Sequence, residues 1–173
     1  ILVTGATGTG KSTTLAAMIN LLNNFRRLNI ITLEDPIEFV HRSNLSLVIQ
    51  REVGTHVRSF ADGLRAALRE DPDVILVGEL RDPETISMAM TAAETGHLVL
   101  GTLHTSSAAK TLDRIIDAMP TELKSQAAVF LARHLQMVLS QKLVRTADGK
   151  KRKAIVEVMF ANAAIANLIQ NGK

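Results

Sequence analysis

The chain has 173 residues, 46% of them hydrophobic and 21% charged, with a formal net charge of +3. That is enough apolar material for an α/β domain with a real core, and it excludes a disordered chain. The absence of cysteine excludes a disulfide scaffold and thiolate-held zinc.

Other functional classes weaken on the same grounds. Aromatic residues are only 3%, with no Trp or Tyr, which argues against a stacking platform for single-stranded nucleic acid. The positive charge is small and dispersed, so it does not imply direct nucleic-acid binding. No signal peptide is visible, and no apolar run reaches bilayer-spanning length, so a cytoplasmic protein is expected. The chain opens inside its first strand with no initiator Met and closes on Asn171, Gly172 and Lys173 just after a helical pattern begins. It reads as an excised domain or a partial chain.

The first element is Ile1 to Thr4, an apolar and β-branched run that reads as a buried strand. Gly5, Ala6, Thr7, Gly8, Thr9, Gly10, Lys11 and Ser12 follow, matching the phosphate-binding pattern G-x-x-x-x-G-K-[ST]. Then Leu15, Met18, Ile19 and Leu22 recur at the spacing of an amphipathic helix. A glycine loop between a strand and a helix is the context the motif needs. Its glycines allow turns that a Cβ would forbid, so successive N–H groups face one concavity. The following helix adds its positive end. Lys11 is placed to reach β- and γ-phosphates, Ser12 to offer a hydroxyl to Mg²⁺, and Thr13 to support it. The bland alternative is a glycine-rich turn without a ligand.

Asn23 to Leu28 reads as a polar turn and Ile30 to Leu33 as a second strand. That strand ends on Glu34, Asp35, Pro36, Ile37 and Glu38. Ligands of open parallel α/β sheets bind beyond the carboxyl ends of strands. Glu34 is therefore a candidate for Mg²⁺ or for holding a water, against the alternative of a solvated acidic turn, which Pro36 favours. Leu45 to Glu52 alternates loosely, as a strand or a hairpin arm. Ser59 and Asp62 form a capping signal for a helix from about Ser59 to Glu70. Arg65 and Arg69 share one face of it, as solvated or paired surface groups or as arginines facing a neighbouring subunit's phosphate.

Val74 to Val77 is a continuous apolar run, a strand buried on both faces. Gly78 and Glu79 follow, in the place of a Walker B segment whose usual Asp is replaced by glycine. Glu79 can order a Mg²⁺ shell or polarise water; the alternative is a charged strand end. Asp82 and Pro83 start a helix that Gly96 stops. His97 to Leu103 is another apolar strand. His104 lies at its carboxyl end beside Thr105, Ser106 and Ser107, where it could donate to a γ-phosphate. His97, at the other end, reads as structural or at an interface. Ser107 to Ala118 reads as a helix that buries Leu112, Ile115 and Ile116, and Pro120 breaks it. Thr121 is expected to cap a long helix to about Leu139, through Ala128, Leu131, Leu135 and Val138. Gln141 to Arg145 and Ala154 to Phe160 are two strands joined by a turn at Ala147 to Lys150. Lys150 to Lys153 is a solvated basic run. Asn162 caps a last helix, Ala163 to Gln170.

Four segments together resemble one family. Gly5 to Ser12 is similar to its Walker A, and Ile31 to His41 (I-T-L-E-D-P-I-E-F-V-H) to its aspartate box. Val74 to Asp82 (V-I-L-V-G-E-L-R-D) is similar to its atypical Walker B, and Ala93 to Thr105 (A-E-T-G-H-L-V-L-G-T-L-H-T) to its histidine box. The family is the type II/IV secretion and pilus-motor ATPases, and the resemblance is strongest to its type IV pilus retraction branch. It covers essentially the whole chain.

The resemblance implies a RecA-like P-loop core over residues 1–173, a mostly parallel sheet flanked by helices with a C-terminal β-hairpin and helices. It implies a Mg²⁺-dependent ATPase working as a hexamer, which withdraws pilin from the fibre. The partner is an inner-membrane pilus platform protein, so the motor is peripheral to the membrane through its partners. By position, Glu34 is the base or water-orienting acid, Glu79 the Walker B glutamate, and His104 the γ-phosphate contact. The family's N-terminal PAS-like domain and its C-terminal end are expected to be missing. The assembly branch carries a tetracysteine zinc module, which this chain cannot build.

One segment departs from the pattern. Where retraction ATPases carry A-I-R-N-L-I-R-E, Ala164 to Asn171 reads A-I-A-N-L-I-Q-N. That keeps open an accessory motor or a related secretion or conjugation-like system. A non-hydrolysing, nucleotide-gated assembly factor would need a lost catalytic acid, and both Glu34 and Glu79 are present. A DNA motor fits the composition and the histidine box poorly.

Overall fold

The computed structural model describes residues 1–172. It divides into two compact units, one made of Ile1–Lys11 and the residues from Leu103 on, the other of Ser12–Thr102. Among the described residues no helix is long and apolar enough to cross a membrane.

In the second unit, strands β2 (Asn29–Glu34), β3 (Leu47–Glu52), β4 (Val74–Val77) and β5 (Leu98–Leu103) lie in the order β3-β2-β4-β5. All are parallel, with Leu33 opposite Val77 and Val77 opposite Gly101. β4 is apolar throughout because both of its faces are covered: its four residues are all buried. Its helices are α1 (Lys11–Phe25), which begins at the unit boundary, α2 (Phe60–Ala67) and α3 (Pro83–Glu94). Ser59 caps α2 by accepting from the Asp62 N–H, and Asp82 caps α3 by accepting from Thr85.

In the first unit, β1 (Leu2–Thr4) runs parallel to β6 (Met137–Arg145), and β6 runs antiparallel to β7 (Arg152–Phe160). Helices α4 (Ala108–Ala118), α5 (Lys124–His134) and α6 (Ala163–Gln170) belong to it. Ser107 caps α4 and Asn162 caps α6, each through its side-chain oxygen. The expected mostly parallel α/β architecture with a C-terminal hairpin therefore stands.

Several local expectations change or narrow. α1 runs on to Phe25, and Asn23, expected in a turn, is buried in it. Its Oδ1 accepts the N–H groups of Asn44 and Ser46 and its Nδ2 donates to the Arg42 carbonyl, so its polarity is spent on the segment before β3. Of the two alternatives for Leu45 to Glu52, a strand or a hairpin arm, the strand holds: β3 runs parallel to β2. The long helix expected from Thr121 to Leu139 is instead a 3₁₀ turn at Thr121–Leu123, which makes no side-chain cap, and α5, which ends at His134. Val138 lies in β6, fully buried beside Leu2. Leu112 and Ile116 are only half-buried; Ile115 carries the buried face of α4.

Candidate functional site

The glycine loop leaves β1 at Gly5 and enters α1 at Lys11. Gly5, Gly8 and Gly10 take φ values of 145°, 76° and 91°. These left-handed conformations favour glycine. The Ala6 carbonyl accepts three bonds, from the Thr9 N–H at 3.3 Å, the Thr9 hydroxyl at 2.8 Å and the Lys11 ammonium at 3.1 Å. Lys11 Nζ also donates to the Gly5 carbonyl at 3.0 Å. The ammonium thus folds back over its own loop and helps hold it shut on the carbonyl side. Ala6, Thr7 and Gly8 form the exposed rim, while Thr9 is buried. Ser12 is half-buried and Thr13 exposed, both in the first turn of α1.

The second unit brings Glu34 and Glu79 to the carboxyl ends of neighbouring strands. The Gly78 N–H donates to the Leu33 carbonyl at 2.7 Å, continuing the β2–β4 ladder by one step. Glycine at 78 has a packing reason: a Cβ there would lie 3.1 Å from the Leu33 carbonyl oxygen and 3.3 Å from Glu34 Cα. The Asp usual at that place of a Walker B strand would push β2 away. From the other side, the Thr102 hydroxyl donates to the Gly78 carbonyl and the Leu80 N–H donates to the Thr102 carbonyl.

Glu34 is held by neutral donors. Thr32 Oγ1 donates to its Oε1 at 2.6 Å, and Gln50 Nε2 donates to the same oxygen at 3.0 Å. Gln50 is oriented in turn, since its Oε1 accepts the His41 N–H and its Nε2 donates to the Phe39 carbonyl. Burial holds the His41 imidazole below its ordinary range, against the upward pull of the Glu34 carboxylate. Glu52 fixes the segment after Glu34. It accepts the Ile37 N–H at 3.0 Å and the Thr55 hydroxyl at 3.0 Å, and these bonds lower its carboxyl from the ordinary value. Glu79 is paired with Arg81, Nε to Oε1 at 2.6 Å.

His104 is exposed directly after β5. His97 is tied to the end of α3: its Nδ1 lies 2.9 Å from the Ala92 carbonyl oxygen, an acceptor, and 3.0 Å from the Thr95 hydroxyl. Arg65 pairs with Asp62 and Glu84 on the surface, and Arg69 is exposed. Sequence reasoning missed Gln50, Thr102 and Gln141, whose Nε2 donates to the Thr9 carbonyl at 2.7 Å. Thr102 is a polar residue in the otherwise apolar β5, and that was the available signal; Gln50 and Gln141 stand beside other polar residues of β3 and β6, where nothing in the pattern singles them out.

The donor set can be tested against a divalent cation. Among the described residues no three His, Cys, Asp or Glu side chains group to cage a metal alone. Mg²⁺ needs no such cage, because it keeps several waters and binds through few protein oxygens plus phosphate. The oxygens of Ser12 and Glu79 fit that sparse, hard donor set.

The family model described as "Type II/IV secretion system protein" matches residues 1–172. A twitching motility protein of Neisseria gonorrhoeae is 59% identical over 173 residues, all of this chain and 46% of that protein. A type IV pilus retraction ATPase, PilT, of Pseudomonas aeruginosa is 57% identical over all of this chain and 50% of its own length. The chain thus spans about half the length of the curated relatives it matches. A crystal structure of the pilus retraction motor PilT with bound ADP superposes with a TM-score of 0.95 at 53% identity, over 99% of this chain and 50% of that one. Matched along its described length in sequence and in fold, the chain belongs to the type II/IV secretion system protein family, and its fold is that of the family's RecA-like P-loop core.

Proposed function

We propose that this chain is the ATP-hydrolysing core of a hexameric motor that powers type IV pilus retraction by pilin disassembly. The observation that carries the reading is the Gly5–Lys11 loop, folded between β1 and α1 in the left-handed glycine conformations a phosphate cradle needs. Relatives named for pilus retraction and twitching motility support the choice of machine. A neighbour with bound ADP supports the choice of ligand.

The reaction is ATP plus water to ADP plus phosphate. Lys11 exchanges its loop carbonyls for β- and γ-phosphate oxygens and offsets their charge. Glu34 orients or deprotonates the attacking water through the carboxylate that Thr32 and Gln50 hold in place. His104 contacts the γ-phosphate. Glu79 is the Walker B acid. Mg²⁺, held by Ser12 and by Glu79 directly or through water, would neutralise charge on the phosphate oxygens. We assign the motor to the cytoplasmic face of the inner membrane, held there by a platform protein of the pilus machine.

The test is ATP turnover per subunit of the full-length protein, with Mg²⁺, as protein concentration rises. Turnover per subunit that climbs with concentration is expected of a site completed by ring assembly. Flat turnover across the range sinks the hexameric-motor reading. Glu79→Gln should retain nucleotide and lose turnover, because it removes charge and keeps shape; normal turnover would overturn the role of Glu79.

A further inference from the structure

We infer that Gln141 is the positioning residue that sets the shape of the phosphate loop, and with it the loop's affinity for nucleotide phosphates. The inference rests on the reading of Gly5–Lys11 as a phosphate loop. Gln141 is only 2% exposed and lies far from the loop in sequence, yet it touches the loop at both ends.

The entrance is set by strand register. Leu2, Val3 and Thr4 pair with Val138, Leu139 and Ser140, and the buried hydroxyls of Thr4 and Ser140 bond at 2.6 Å. The next step along each strand is Gly5 and Gln141. A Cβ on Gly5 would collide with the backbone carbonyl of Gln141 and come within 2.6 Å of Thr9 Oγ1. Gly5 is glycine because the loop opens directly on Gln141.

The exit is set by the side chain. Gln141 Nε2 donates to the Thr9 carbonyl at 2.7 Å in buried surroundings. A Cβ on Gly10 would sit 3.2 Å from the same nitrogen. The peptide between Thr9 and Gly10 is planar and trans, so its C=O and N–H point in opposite directions. Fixing the Thr9 carbonyl on Gln141 therefore turns the Gly10 N–H away from β6. A phosphate loop works only if its N–H groups are aimed before the anion arrives. Lys11 closes the same loop through Gly5 and Ala6, but it would leave those carbonyls on meeting a phosphate. The Gln141–Thr9 bond is buried and uses no group that would have to leave for a phosphate, so it should persist when nucleotide binds.

Gln141→Met keeps length and volume but removes the donor. Measured in the full-length protein with ADP as the probe, it should raise Kd about tenfold, the scale of one buried hydrogen bond. Gln141→Glu adds a signature that packing alone would not produce. An ionised carboxylate cannot donate to the Thr9 carbonyl, but a protonated one can, and burial favours protonation. Its Kd for ADP should be raised at pH 8, and the ratio to the parent's should narrow toward pH 6. Gln141→Met binding ADP within twofold of the parent, or a Gln141→Glu ratio that stays constant with pH, would overturn the inference. Lys11→Ala is the control. If it too leaves ADP affinity unchanged, the phosphate-loop reading has failed, and not the part assigned to Gln141.

Discussion

Arg81 Nε lies 2.6 Å from Glu79 Oε1, pairing an arginine side chain that is 73% exposed with a carboxylate that is only 19% exposed. The solvent-facing partner thus sits over the inward-held acid. An ion pair so open to water adds little to stability. It can still compete with other ligands for the carboxylate. Arg81→Gln should leave the melting temperature nearly unchanged and lower the Mg²⁺ concentration needed for half-maximal turnover. An unchanged Mg²⁺ requirement would mean that Arg81 does not restrain Glu79.

Gly78 lets the two acidic strand ends approach. Its own φ is ordinary, so the demand is for space, not for an unusual backbone. Gly78→Ala must displace Leu33 and Glu34 by a few tenths of an ångström. We expect a stability loss of about 1–2 kcal/mol from overpacking. Because Glu34 is the group displaced, kcat should fall by about tenfold while KM for ATP moves less than about twofold. A loss confined to KM would place the damage at binding and count against a role for Glu34 in the chemical step.

Much of this was legible because the signals were local. The loop from Gly5 to Ser12, the buried strand Val74–Val77 and the Asn162-capped helix all declare themselves within a dozen residues. The region from Thr121 to Leu139 did not. Leu131, Leu135 and Val138 keep helical spacing straight through the junction between α5 and β6. β6 also begins buried, with Val138, Ser140 and Gln141 all shielded, so it lacks the alternation that marks a strand. The polar partners were hidden for a different reason. Gln50 serves Glu34 because β3 pairs in parallel with β2, opposite Thr32, and Gln141 serves Thr9 from 132 positions away. Such relationships belong to strand order, which periodicity does not encode.

The start of α3 provides a pH-dependent stability test. Burial alone would raise the Asp82 carboxyl. Hydrogen bonds from the Thr85 hydroxyl and from backbone N–H groups outweigh that and hold it below its ordinary 3.8. A carboxyl depressed on folding stabilises above its unfolded pKa, and that contribution is lost as pH falls through the folded value. Asp82→Ala should therefore cost about 1 kcal/mol at pH 7, a typical N-cap loss. The gap between variant and parent should narrow as pH falls below the ordinary carboxyl value of 3.8 toward the lower value of the folded state, where the folded parent takes up its proton. Denaturant melts at both pH values check this; a gap independent of pH would show that the cap acts without its charge.

The last helix bears on the proposed motor function. α6 is capped by Asn162, whose Oδ1 accepts the Ile165 N–H at 2.9 Å, and Ile169 is its buried residue. Ala166 and Gln170 lie one turn apart, Ala166 half-buried and Gln170 exposed, so residues there share one side of the helix. The retraction-branch pattern that this segment resembles, A-I-R-N-L-I-R-E, has arginines at both places. Ala166→Arg with Gln170→Arg adds two positive charges to α6, of which the one at 170 lies in the last turn, where a cation is mildly stabilising, by about 0.3–1 kcal/mol. Folding and nucleotide affinity should be unaffected. If this face serves the step that couples hydrolysis to pilin withdrawal, pilus retraction by the full-length double variant should rise while its turnover without pilus stays level. Retraction unchanged in cells would separate α6 from coupling and leave the arginine pattern without a role in the proposed motor.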